Sequence, residues 1–546
     1  MRGKHLKISV FSAVGLLFAS TMFGQTLPQA IQMTKNEQFE KADKAFKSLI
    51  MAQPANGDNY FYEGENFLDW GRLDSAMAAY QKGINMNATD ALNYVGVAKI
   101  KWYQGSAQEA NDNFFKAKTI SKSKDAKVFY KMAEAYVNAP TKDYKTAIDL
   151  LNQAVLLDSK DPQVYIDLGD AQWGLDPSNA SNAISQYEKA LKIDPKSVIA
   201  ILREGMIYQM AANYDLSFQY YQKANQVDST FAPAYRQKAE MLYRAGRYDE
   251  AIVQYKKYLT LNDALSARVR YAEFLFLAKQ YDATITEVQK IFAKDSSNVI
   301  LYRVLSYSQY EKKDYVNGLN NITKFFNKVS KTDVKVISSD YTYYGNLLSK
   351  NKKDSVAAIM LTKGADMMIK ANAPADAAKI YEQIGQIDYM DSKCADAITY
   401  YQKSVALKQA NVNTYYYLGR SAYDCKKYMT ADSAFKQVKT QRSDLLLGYQ
   451  WTAYSEIAID TAYTGSAMGA CNDFLQKVGA DTMKNKDAMV TVISYMAVCK
   501  VAKNDYEGAK PIWKRVQGLD PNNDAARKFF ESVNRPKQTP KKPGVK

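Results

Sequence analysis

The chain has 546 residues, 47% hydrophobic and 24% charged, which excludes a small disulfide-stapled scaffold and gives ample material for a large folded body. Its formal net charge is +16, and it holds one histidine, His5. Histidine titrates near neutrality and is the commonest metal ligand, so Ser-His-Asp, Cys-His and zinc-hydrolase chemistries are disfavoured from the start.

Arg2, Lys4 and Lys7 open the chain without an acid, ahead of an apolar run over 8–20 and a small-residue region ending near Gly24. Residues 1–24 read as a secretory signal peptide, because the run is short of the ~20 residues a spanning helix needs. Cleavage before Gln25 takes His5 away. The expectation is an exported protein, periplasmic or alternatively secreted or surface-associated, with no transmembrane segment.

From 23 to 523 a frame of about 34 residues recurs. Started at Gly57, its position 8 is Gly64, position 20 is Ala76 and position 24 is Tyr80. The same pattern gives Gly205, Ser217 and Tyr221 from 198, Ala239, Ala251 and Tyr255 from 232, and Ala497, Ala509 and Trp513 from 490. Eleven frames run without gaps, those near 126 and 162 take a two-residue insertion, and 446–489 is irregular, making fourteen. Positions 4, 7, 8 and 11 share one face of a first helix, and 20, 24 and 27 one face of a second. Small residues at 8 and 20 let the pair approach, and the large residue at 24 fills the groove to the next pair. The expected fold is all-α, a right-handed superhelical solenoid of about 14 helix-turn-helix repeats over 25–533.

The pattern resembles the tetratricopeptide repeat family. The copy over 162–197 carries Tyr165, Leu168, Gly169, Ala183, Tyr187, Ala190 and Pro195 at that family's signature positions. The resemblance implies a protein-interaction scaffold presenting the inner faces of its first helices to a peptide or partner domain.

Of the 42 tyrosines, about half fall at positions 4, 17 and 24 and read as packing residues. Positions 2, 5, 9 and 12 are expected to face the concave side. From them come the candidate partner-binding residues Arg236, Tyr243, Phe276, Arg303, Tyr307, Tyr310, Asn346, Tyr389, Tyr416, Arg420 and Tyr423. Aromatic anchors beside arginine suit an extended peptide or protein face. Packing between adjacent first helices is the competing use of these tyrosines. The lysine and asparagine set with which some members of the family clamp a C-terminal carboxylate is missing, Asn346 standing alone.

Cys394, Cys425, Cys471 and Cys499 form no CxxC. In an oxidising compartment the frame pairs Cys394 with Cys425 and Cys471 with Cys499, with free buried thiols as the alternative. No phosphate-binding GxxxxGK, GxSxG elbow or HExxH occurs, so no catalytic residue, cofactor or metal is expected. The tail over 534–546 holds five basic residues, three prolines and no acid, and reads as disordered. With the leader it takes eight of the sixteen charges, and the mild remainder is no nucleic-acid footprint. The leading expectation is a non-enzymatic envelope scaffold that binds a protein or peptide. The alternative is a structural component adhering to an acidic polymer through its tail and lysines.

Overall fold

The structure, a computed structural model, describes residues 25–534 except 263, 480 and 481. The expected signal segment and the basic tail from Arg535 lie outside the described residues. Among the described residues there are 29 helices and no strand, so the chain is all-α. They divide between two compact units, Met1–Lys294 and Asp295–Lys546.

Helices come in antiparallel pairs whose first members start where the frame starts: Gly57–Asp69, Ala91–Tyr103, Ala126–Asn138, Pro162–Leu175, Val198–Met210 and Val299–Glu311. Short polar side chains set these starts. Asn56, Asp90, Asp125, Asp161, Ser197 and Asn298 each accept a backbone N–H of the first turn. Fourteen pairs result, and a single helix, Asp524–Val533, follows them.

The turn inside each pair is equally regular. Position 15 has positive φ in all eleven ungapped frames, at Glu37, Gly71, Gly105, Ala212, Gly246, Lys279, Lys313, Lys352, Ser392, Lys426 and Asn504. The N–H of the following residue then reaches back to the first helix, as Arg72 N does to Phe67 O and Asp314 N to Gln309 O, both at 2.8 Å. This left-handed cap satisfies carbonyls the helix end leaves open. Where the frame needs two extra residues, looser connections over 139–143 and 176–179 replace it.

Packing follows the small-large complement. A Cβ on Gly64 would lie 2.2 Å from Tyr80 Cε1, and one on Gly96, in the next pair, 2.2 Å from Tyr80 Cδ1. Tyr80, Tyr187 and Tyr221 are wholly buried in this way. Position-4 tyrosines serve differently: Tyr60, Tyr94, Tyr165 and Tyr302 donate their phenols to the carbonyls of Pro54, Ala88, Ser159 and Ser296, each six residues back. A lysine of the partnering second helix stands over each such ring, Lys82, Lys116, Lys189, Lys257, Lys324, Lys363 and Lys403 lying 4.4–6.0 Å from the ring centres of Tyr60, Tyr94, Tyr165, Tyr235, Tyr302, Tyr341 and Tyr381. Much of the excess lysine thus lies over aromatic faces.

The cysteines divide. A disulfide joins Cys394 to Cys425 with Cα atoms 5.7 Å apart, bracing two successive pairs. The expected Cys471–Cys499 bridge is not formed: both are buried thiols, and burial pushes Cys471 up to about 12. The irregular frame has its own reason. Asp460 ends helix Leu446–Ile459 and accepts from Thr464 N, Thr464 Oγ1, Gly465 N and the Tyr495 phenol, which holds a longer connection to helix Met468–Val478.

Candidate functional site

Three of the expected partner-binding residues lie in the first unit. Arg236 places Nη2 2.7 Å from Glu37 Oε1, so its charge is already matched by the N-terminal segment. Tyr243 packs 5.5 Å from Phe274 with the Arg270 guanidinium 5.3 Å from its ring, and Arg270 is held by Glu240 and Glu273. Phe276 packs against Tyr281 at 5.9 Å.

The second unit holds the other eight, in two groups. Arg303 donates from Nε and Nη2 to the two oxygens of buried Asp340, at 2.7 and 2.8 Å, and Tyr307 donates to Asp340 Oδ1 at 2.7 Å. Tyr307 also stacks on Tyr343 at 3.8 Å, against which Tyr310 stands edge-on at 5.3 Å. Asn346 Oδ1 accepts from Gln383 Nε2. These residues tie one helix pair to the next.

Tyr389, Tyr416, Arg420 and Tyr423 come together on helices Pro374–Met390 and Val412–Asp424. The Arg420 guanidinium lies 4.1 Å from the centre of the Trp451 ring, and its Nη1 is 3.4 Å from Tyr416 Oη. Tyr423 meets Trp451 edge-on at 5.1 Å, and Tyr389 meets Tyr417 at 5.7 Å. Arg420 has no carboxylate partner among the described residues, and its Nε is without an acceptor. All four side chains are half-buried, so an aromatic floor carries an arginine whose guanidinium has no carboxylate to neutralise it. Trp451, in the irregular frame, completes this face and was not among the sequence candidates.

A second constellation lies in the first unit. Lys99, 2% exposed, donates to both oxygens of Glu65 at 2.9 and 2.7 Å and to Glu134 Oε2 at 2.6 Å. Lys131 donates to Glu134 Oε1 at 2.6 Å and Glu65 Oε2 at 3.2 Å, and Tyr80 donates to Glu65 Oε1 at 2.7 Å. Burial alone would raise the Glu65 carboxyl, but Lys99 and Lys131 hold it at about 2. The sequence did carry a signal, since Glu65, Glu134 and Asp170 all occupy position 9 of their frames.

The fold is a stack of consecutive helix pairs that pack as tetratricopeptide repeats do. No protein-family model matches the chain. It is similar to a TPR repeat-containing protein of Methanocaldococcus jannaschii, 24% identical over 339 residues, covering 58% of this chain and 52% of the relative. It is also similar to the small glutamine-rich tetratricopeptide repeat-containing protein 2 of Mycosarcoma maydis, 28% identical over 75 residues, covering 14% of this chain and 21% of the relative. The chain thus spans about half the length of the first curated relative and a fifth of the second. Among solved structures it is similar to the C-terminal part of a TPR repeat-containing protein from Cytophaga hutchinsonii, at 27% identity and a TM-score of 0.36, covering 48% of this chain and 99% of that one.

Proposed function

We propose that the protein is a non-enzymatic interaction scaffold of the cell envelope, binding a protein or peptide on the face formed by Tyr389, Tyr416, Arg420 and Tyr423. The observation that carries this reading is Arg420, half-buried and stacked on Trp451, with no paired carboxylate among the described residues. Such a group, desolvated on one side and framed by tyrosines, suits an interface anchor. Tetratricopeptide-type pairs in the named relatives support the scaffold role. The basic, apolar leader of the sequence and the Cys394–Cys425 disulfide support an oxidising, exported location.

The test is a comparative pull-down from envelope extract with the wild type and with Tyr416→Ala plus Arg420→Ala, after circular dichroism shows equal helicity. Specific loss of captured proteins from the double variant, persisting at 0.5 M salt, is expected. An unchanged partner set overturns the assignment of this face. Capture that collapses with salt in both proteins instead favours adhesion to an acidic surface.

A further inference from the structure

A cavity of about 570 Å³ lies in the first unit between helix Leu27–Lys35 and helices Gly57–Asp69, Ala126–Asn138, Pro162–Leu175 and Val198–Met210. Six carboxylates line it, Glu65, Asp69, Glu134, Asp161, Asp167 and Asp170, against three cations, Lys35, Lys131 and Arg203. This is an acidic chamber in a basic chain.

Most of these charges are accounted for inside the protein. Glu65 and Glu134 share Lys99 and Lys131. Asp170 holds Arg203 Nε at 2.8 Å, and Asp161 caps Gln163 N. Asp167 is different. It is 9% exposed, its Oδ1 accepts from Gln163 Nε2 at 2.9 Å, and its Oδ2 is buried with no hydrogen-bond partner. Burial, with Glu134 adding to it, pushes the Asp167 carboxyl well up, and a cation arriving in the cavity would favour its ionised form. Asp69, on the same wall, has neither a cation within ion-pair distance nor a side-chain hydrogen bond among the described residues. Ile31, Val137, Ile166 and Ile199 give the same cavity apolar lining suited to a methylene chain.

We propose that this cavity binds a primary alkylammonium group, from a free diamine or from a lysine side chain, with the Asp167 carboxylate accepting from the ammonium and the isoleucine-lined wall receiving the alkyl stem. An ammonium supplies a charged donor to the carboxylate, and a straight stem fits an apolar wall better than a compact hydrated ion does. Among the described residues no group of three or more His, Cys, Asp or Glu is placed to hold a metal ion. Lys35, on the facing helix, is the internal competitor. Burial and Lys131 push its ammonium down, so it is the weaker cation for this site. The site does not depend on the partner-binding face proposed for the other unit.

Calorimetric titration of the whole chain tests this with two probes, 1,5-diaminopentane and a short lysine-containing peptide whose control carries norleucine. At least one amine probe is expected to bind, with the norleucine peptide silent. A peptide preferred over the diamine identifies a lysine side chain as the source, and the reverse order identifies a free amine. Asp167→Asn should weaken binding at least about tenfold, and Lys35→Met should strengthen it several-fold. The exposed Asp215→Asn should leave it unchanged. Asp167→Asn keeps the Gln163 contact and replaces a buried carboxyl with an uncharged group of the same shape, so it should fold, and Lys35→Met reads the same site through another helix. No binding of either amine overturns the proposal, as does binding that neither variant shifts.

Discussion

Tyr258 donates its phenol to Glu37 Oε2 at 2.6 Å, across 221 residues of chain. The other oxygen of Glu37 takes Arg236, and Asn36 beside it donates to Thr230 Oγ1 at 3.2 Å. The first unit therefore curls until its first pair meets its seventh. Glu37→Ala should release this closure at a cost of about 2 kcal/mol, the scale of hydrogen bonds to a charged group. Helix Leu27–Lys35 keeps its Thr34 hydroxyl bond to Asn66 Oδ1 at 2.9 Å, so local opening is expected, not global unfolding. Hydrogen exchange should accelerate over 27–38 and at Arg236. Unchanged protection there would show that the closure does not hold the segment.

The position-15 turn makes opposite predictions for two substitutions. Lys313 holds φ of 64° with its side chain exposed, a conformation that costs an ordinary residue about 1–2 kcal/mol. Lys313→Gly should raise stability by about 1 kcal/mol, less what glycine loses in the unfolded chain. Gly246, at φ 73°, should lose a similar amount on Gly246→Ala. Urea melts of both variants decide the matter, and equal signs would refute it.

Why the repeat was legible and the inner face was not follows from these residues. Gly64 and Tyr80 stand at fixed spacing because a helix pair can approach only where one side is small, so this constraint is written in every frame. The turn at position 15 was less visible, since glycine, alanine, lysine, serine, glutamate and asparagine all fill it and only the backbone shares a conformation. Helices Asp354–Lys370, Pro374–Met390 and Lys486–Ala502 are a turn longer than the frame, and Asp524–Val533, whose Phe529 and Phe530 cover the last pair beside Trp513, has no second helix to repeat. Inner-face roles depend on partners in other frames. Arg303 and Arg420 were both expected on the concave side, yet the first meets Asp340, 37 residues on, and the second meets Trp451.

Close packing also separates two glycines by effect. Gly64→Ala drives a methyl into the Tyr80 ring at 2.2 Å, held on its other side by Gly96 of the next pair, and should cost about 1–3 kcal/mol or more. Gly518, helical with nothing within 4 Å of an added Cβ, should gain up to about 1 kcal/mol on Gly518→Ala. Thermal melts should move in opposite directions. A neutral Gly64→Ala would mean the Tyr80 ring can yield.

The cysteines predict a count and a stability change. Thiol titration of the denatured, unreduced protein should find two free groups, Cys471 and Cys499. Cys394→Ala with Cys425→Ala should lower stability by about 3–4 kcal/mol, the loop-closure value for a 31-residue separation. Four free thiols in the wild type would remove the bridge, and none would restore the second pairing.

Glu63 gives the stability a pH dependence opposite in sign to that of a paired carboxylate. Burial, with Asp43 adding to it, pushes its carboxyl up to about 6, against the pull of Lys47 and Lys82. Below about pH 4 it is protonated in both the folded and the unfolded chain, and no penalty exists. As pH rises toward 6 the unfolded chain gives up this proton first, so folding stability falls, and above 6 the full penalty of about 1–2 kcal/mol applies. Glu63→Gln removes the charge while keeping the shape. Its stability should match the wild type near pH 4 and exceed it by about 1–2 kcal/mol at pH 7.5, as read by urea melts at both values. A difference of the same size at both pH values would assign the effect to packing and not to the proton.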